Sequence, residues 1–403
     1  LLDENGVDNN IYGYGSEEWS HDVKTAITKA TDLGMSVGLT SGTHWHDANI
    51  PGLDPNSDAA GQEAGWSMER LEAGQARSGK LTLPPNNNAS KQGYTDETIT
   101  RTLIGVYAYK VKDAGASVKI EEDETVKTPM MPGYHNPTQA KPMVLDQTKC
   151  IDLTSQVKDN SLTWTAPADG EYVLVGLWKQ GTFQKESPAQ QDTYAINYYD
   201  EAGVTELQKY LSENIFKDSE LVEAIKKGNV QFFMDSLEIN NSNGTRSLYW
   251  TKDMAQEFMS RKGYDIRPYL PLFIGISTGS CFGGVTTDVN VQPTGPFVLD
   301  DAGLESGKTF TWKIMNDFYD VQTQLIQEKM MTPLKEWAKE NYNMTIRSQN
   351  SYGTYMECSE MTMAADYTET ETLNMKDQTD IYRLWSGGAH IMDKLYSSET
   401  GAI

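Results

Sequence analysis

A short run of bulky residues, Val230, Phe232, Phe233 and Met234, stops abruptly at two carboxylates, Asp235 and Glu238. A buried strand that delivers acids at its C-terminal end is how a parallel α/β barrel furnishes its mouth. The preceding residues fit the same plan. Residues 219–227 have helical spacing and stop at Gly228, so helix, glycine, strand and carboxylate follow one another as a unit. Residues 16–34 repeat the order: Ser16 as N-cap, Glu17 and Glu18 in the first turn, Trp19, Val23, Ala26, Ile27, Ala30 and Leu33 on one stripe, Gly34 as the stop. A strand at 36–39 follows. Repetition of this unit predicts an α/β fold, a (β/α)8 barrel of the TIM type.

At 403 residues the chain is long for a single core unless a barrel carries insertions. Residues 50–98, rich in Gly, Asn, Asp, Pro and Ser, read as loop. From 100 to 178 the pattern changes to short alternating runs at 102–109, 117–120, 150–153, 161–164 and 172–178. The expected organisation is therefore barrel over 1–98, an inserted β-sandwich-like domain over 99–170, its last strand leading back into the barrel, and the remaining barrel over 171–403. Helices are expected at 201–214, at 250–262 with Gly263 as C-cap, and at 310–342 with an interruption near Pro333. Both ends fall within patterns, which suggests an incomplete barrel and a piece of a longer multidomain protein.

The net charge of −23 repels phosphate backbones and excludes a nucleic-acid partner. No apolar run reaches the ~20 residues that a membrane helix needs. Cys150, Cys281 and Cys358 lack metal-type spacing and read as free thiols. Gly-x-Gly-x-x-Gly, Walker and Gly-x-Ser-x-Gly motifs are absent, which leaves nucleotide-dependent and serine-hydrolase chemistry without support.

The chemistry is expected at strand ends. Strands at 345–349, 363–366 and 394–397 are followed by Gly353, by Glu369 and Glu371, and by Glu399 respectively; with Asp235/Glu238 and Asp366 these form three acidic clusters. If 230–238 is the fourth barrel strand, the later ones are the fifth to seventh, and acids on the fourth and seventh oppose each other across the mouth. Glycoside hydrolysis needs two such groups, one protonated to serve the leaving oxygen and one ionised to activate water or attack carbon. A carboxylate there can equally cap the following helix. His44, Trp45 and His46, in the loop after the 36–39 strand, are types that face a sugar. Further carboxylates, Asp366 and Glu371, could hold Ca²⁺, which takes oxygen ligands.

These residues resemble a family. Glu17-Glu18-Trp19, Asp32-Leu33-Gly34-Met35 and Ser41-Gly42-Thr43-His44-Trp45 are similar to the first segment of glycoside hydrolase family 106, the α-L-rhamnosidase-like proteins. Asp235-Ser236-Leu237-Glu238, Asp366-Tyr367-Thr368-Glu369-Thr370-Glu371 and Ala389-His390 with Ser397-Ser398-Glu399-Thr400 resemble its later motifs, in order. The family's Gly-Trp-Pro loop is replaced by His44-Trp45-His46-Asp47, and its Ile-Pro by Tyr367-Thr368. The resemblance implies an extracytoplasmic glycosidase that removes terminal α-L-rhamnosyl or related deoxysugar residues from oligo- or polysaccharides with inversion. It implies Glu238 as general acid, Glu399 as base, and Asp235, Glu369, Tyr352 and His390 with the histidine loop as substrate contacts. The alternatives are a glycosidase of another sugar specificity and a non-catalytic carbohydrate-binding module on the same scaffold.

Overall fold

The computed structural model describes residues 8–43, 48–114, 116–119, 138–141, 143–186, 192–235, 237, 239, 247–273, 297–300, 307–349, 356–371 and 379–399. In chain order its main elements begin with α1 (Glu17–Asp32), β1 (Ser36–Thr40), β2 (Gln62–Leu71), β3 (Thr102–Asp113), β4 (Met143–Asp152) and β5 (Tyr172–Gly181). Next come α2 (Glu201–Tyr210), α3 (Ser219–Lys227), β6 (Asn229–Met234), β7 (Ser247–Tyr249), α4 (Met254–Lys262), β8 (Phe297–Asp300), α5 (Gly307–Ile326) and α6 (Thr332–Tyr342). The chain continues through β9 (Thr345–Ser348), α7 (Cys358–Ala364), β10 (Tyr367–Glu371), α8 (Thr379–Ile391) and β11 (Tyr396–Glu399).

Local signals set several of these boundaries. The Ser16 hydroxyl accepts the amide of Trp19 at 3.1 Å and starts α1, and Gly34, at φ 70°, turns the chain into β1. The Asp218 carboxylate accepts the amides of Glu220 and Leu221 to start α3. Gly263 closes α4 in the left-handed conformation at φ 80°. The interruption expected near Pro333 is a π-type turn over Gln327–Met331, immediately before α6.

Five strands form a wholly parallel sheet in the order β1-β6-β9-β10-β11, curled like half of a barrel. A closed eight-stranded barrel is not seen among the described residues. β6 lies directly beside β1, making it the second strand of this sheet and not the fourth. The reason is that the four long strands between them in sequence go elsewhere. One face of the sheet is apolar: Val230, Phe232, Met234 and Ile346 are buried with Ile27 of α1, Leu221 and Ile225 of α3 and Leu334 of α6. Each contributes about 1.5–3 kcal/mol of burial.

The second sheet has the order β7-β2-β5-β3-β4-β8, antiparallel apart from the β4/β8 pair. Alternation along β3 assigns its two faces. Tyr107 and Tyr109 enter the core shared with the parallel sheet, while Val106 and Ala108 enter a second core with Leu71, Leu162 and Trp178. Over that second core lies a ribbon of Ala76–Lys80 paired with Ser161–Thr165.

Three expectations are corrected. Residues 62–71 and 76–80 are strands, not loop: β2 is paired on both edges, so main-chain hydrogen bonds hold a sequence poor in alternation. β5 does not lead back into the barrel; it is an inner strand of the antiparallel sheet. Residues 363–366 are the end of α7 and the turn after it, and the strand begins at Tyr367.

Candidate functional site

In a strand the side chains alternate between faces, so the register of the parallel sheet decides what lines its concave side. Arg347 pairs with Phe233 and Tyr367, and Glu369 with Ser397. Continuing by two residues along each strand puts Asp235, Gln349 and Glu399 on the same face, at the C-terminal ends. The apolar residues named above point the other way, to the helices. A polar, acidic lining thus follows from the period of the strands themselves.

The turn before β10 is pinned at its base. Asp366 donates its amide to the Ile346 carbonyl at 3.0 Å, and its carboxylate accepts the Ile346 amide at 2.8 Å. Lys394 Nζ donates to the carbonyls of Thr362 at 3.2 Å, Met363 at 2.8 Å and also Ala365, capping the C-terminus of α7. Burial pushes the Lys394 amine below its ordinary pKa. α8 packs closely on α7, because a Cβ on Gly388 would stand 1.9 Å from Thr362 Oγ1.

At the upper end the side chains form a network. Glu369 is buried, ion-paired to Arg347 Nη1 at 3.2 Å, and accepts the Ser397 hydroxyl at 2.6 Å. The Arg347 guanidinium lies 4.6 Å from the centre of the Phe233 ring. Gln349, 1% exposed, donates Nε2 to Glu399 Oε2 at 2.7 Å and more distantly to Glu369 Oε1 at 3.3 Å. Its main-chain amide donates to the Met234 carbonyl at 2.9 Å, which fixes it to the end of β6. Glu399 is exposed, at the end of β11.

The structure therefore brings together Glu369 and Glu399, with Asp235 half-buried at the end of β6 on the same face. It separates others. Asp366 precedes β10 whereas Glu371 ends it, so the two are about 16 Å apart along a strand rising ~3.3 Å per residue. No group of three or more His, Cys, Asp or Glu suited to a metal occurs among the described residues. His390 is exposed near the end of α8, beside the N-terminal ends of the strands. Glu238, His44, Trp45, His46 and Tyr352 lie outside the described residues, as does the side chain of Glu371. Arg347 and Gln349 escaped the sequence reading. The signal was present, since Arg-Ser-Gln at the end of a strand puts two polar side chains on one face, but an amide carries no catalytic signature.

Among the described residues no helix is long and apolar enough to cross a membrane. Cys150 and Cys358 are free thiols, and burial pushes the Cys150 thiol up to about 11.

Comparison with known proteins gives three likenesses. A glycoside hydrolase 106 family model, described as alpha-L-rhamnosidase, matches residues 117–399. A protein of Formosa agariphila provisionally named beta-glucuronidase is 22% identical over 276 residues, covering 65% of this chain and 21% of that protein. The structure of a rhamnosidase from Novosphingobium sp. PP1Y superposes with a TM-score of 0.57 at 16% identity, covering 96% of this chain and 47% of the other. The chain thus spans about a fifth of the curated relative and about half of the solved chain.

Proposed function

The chain belongs to the glycoside hydrolase 106 family of alpha-L-rhamnosidases, and from that premise we propose that it hydrolyses terminal α-L-rhamnosyl or related deoxysugar residues of oligo- or polysaccharides with two carboxylates and inversion. Glu238 protonates the leaving oxygen as the glycosidic bond breaks, a role that rests on its motif. Glu399 takes a proton from the water that attacks the opposite face of the sugar ring. Asp235 and Glu369 contact or orient the substrate.

The observation that carries the choice of base is the contrast between Glu369 and Glu399. Glu369 is buried, ion-paired to Arg347 and hydrogen-bonded to Ser397, so its charge is already committed. Glu399 is exposed and takes its hydrogen bond from an uncharged amide, Gln349, which leaves its other oxygen open to water. A base must reach its proton and be ionised before the reaction. Glu399, exposed to solvent, meets the first condition better than buried Glu369.

The test is turnover of 4-nitrophenyl α-L-rhamnoside and β-D-glucuronide by the wild type, Glu238→Gln and Glu399→Gln. The rhamnoside is expected to be the substrate, releasing β-L-rhamnose first by NMR, and each variant is expected to lose about 10²- to 10⁴-fold in kcat. Undiminished turnover in both variants would overturn the assignment. Glycan retention with no sugar released by the wild type would favour a binding module instead.

A further inference from the structure

Gln349 is a buried amide set between two carboxylates, and the chemistry of the amide leaves it one orientation. Its Nε2 carries two N–H donors and its Oε1 only lone pairs. With Glu399 Oε2 at 2.7 Å and Glu369 Oε1 at 3.3 Å, the nitrogen must face both acids, since the oxygen there would repel them. Oε1 is accordingly turned away and, among the described residues, is buried without a hydrogen-bond partner. The residue is not free to move, because its main-chain amide is bound to the Met234 carbonyl and its side chain is enclosed.

We propose that Gln349 is a positioning residue for the hydrolytic base: it ties Glu399, the most exposed acid of the lining, to the Glu369–Arg347 pair and so holds the base in one place. This rests on the reading of Glu399 as base. Glu399 is the last residue of β11 and is exposed, so without a tether its carboxylate samples several rotamers. Glu369 is the fixed point, held from three sides by Arg347, Ser397 and Gln349 itself. A short donor bond from a buried, main-chain-anchored amide transfers that order to Glu399. Correct placement of a reacting group is worth large factors in rate, and small misplacements lose them.

A double-mutant cycle separates this role from simple support of the fold. In the full-length protein, Gln349→Met and the isosteric Gln349→Glu, both of which remove the neutral amide donor, are each combined with Glu399→Gln and assayed on 4-nitrophenyl α-L-rhamnoside. In the wild-type background each is expected to lower kcat by about 10- to 100-fold with KM changed less than about threefold. In the Glu399→Gln background the same substitutions are expected to change the residual kcat by less than about twofold, because the group they position is no longer a base. Equal losses in both backgrounds would show a structural role and overturn the inference. So would an unchanged kcat in Gln349→Met and Gln349→Glu when Glu399→Gln alone is crippled. Full activity in Glu399→Gln would instead refute the assignment of the base.

Discussion

At the scale of single residues, the lining depends on one guanidinium. Arg347 neutralises buried Glu369 while stacking on Phe233, and the carboxylate is less exposed than its partner at 8% against 31%. Removing a cation from a buried acid costs about 3–5 kcal/mol, and an exposed pair is worth about 0–1. An intermediate site such as this gives about 1–3 kcal/mol for Arg347→Met, read as a lower urea midpoint. Adding Glu369→Gln should recover at least half of that loss, because the charge left behind is then gone. A double variant no more stable than the single one would mean that Arg347 acts by packing alone. None of this was visible in the sequence: Arg347 lies inside a strand where its face is set by register, and register is a property of the neighbours.

At the scale of elements, the helix-glycine-strand units were legible, and the reason is local. Ser16, Asp218, Gly34, Gly228 and Gly263 act on their own turns, so punctuation alone brackets α1, α3, α4 and the strands that follow two of them. Residues 358–371 misled for the opposite reason. A short apolar run such as Met361, Met363, Ala364 and Ala365 fits either period, and the strand begins only after it. What settles the boundary is Lys394, distant in sequence, whose ammonium closes the end of α7. Lys394→Met keeps the stem and removes the donors, leaving three carbonyls to find other partners. We expect a loss of about 2 kcal/mol, following the cost of unmet hydrogen bonds, measured by urea unfolding, with Lys394→Arg closer to the wild type. A midpoint unchanged in Lys394→Met would remove the cap from the account of how β10 is placed.

At the scale of the whole molecule, the two sheets share one core. Ala64, Trp66, Tyr107, Tyr109 and Val175 of the antiparallel sheet belong to the same buried cluster as Val230, Phe232 and Ile346 of the parallel sheet. The antiparallel strands are therefore part of the support of the half-barrel, joined to it further by the Tyr109 hydroxyl on the Pro268 carbonyl at 2.7 Å. That sharing was hidden in the sequence because β2 and β5 read as loop and as a returning strand. Only their pairing reveals a sheet.

The acid-rich lining should also select by the charge of what enters. Among the described residues Arg347 is the only cation that the five parallel strands place on the concave face, against the carboxylates of Asp235, Glu369 and Glu399. A glycan bearing its own carboxylate, as a uronide does, meets a field of its own sign, whereas a neutral deoxysugar does not. Uronides should therefore bind less well than rhamnosides, and the gap should narrow as ionic strength rises from about 0.01 to 0.15 M, since the Debye length falls from ~30 to ~8 Å. Calorimetric titration of an inactive Glu399→Gln protein with the two sugars at both salt levels would read this directly. A preference for the uronide at low salt would mean that the sign of the lining has no part in choosing the substrate.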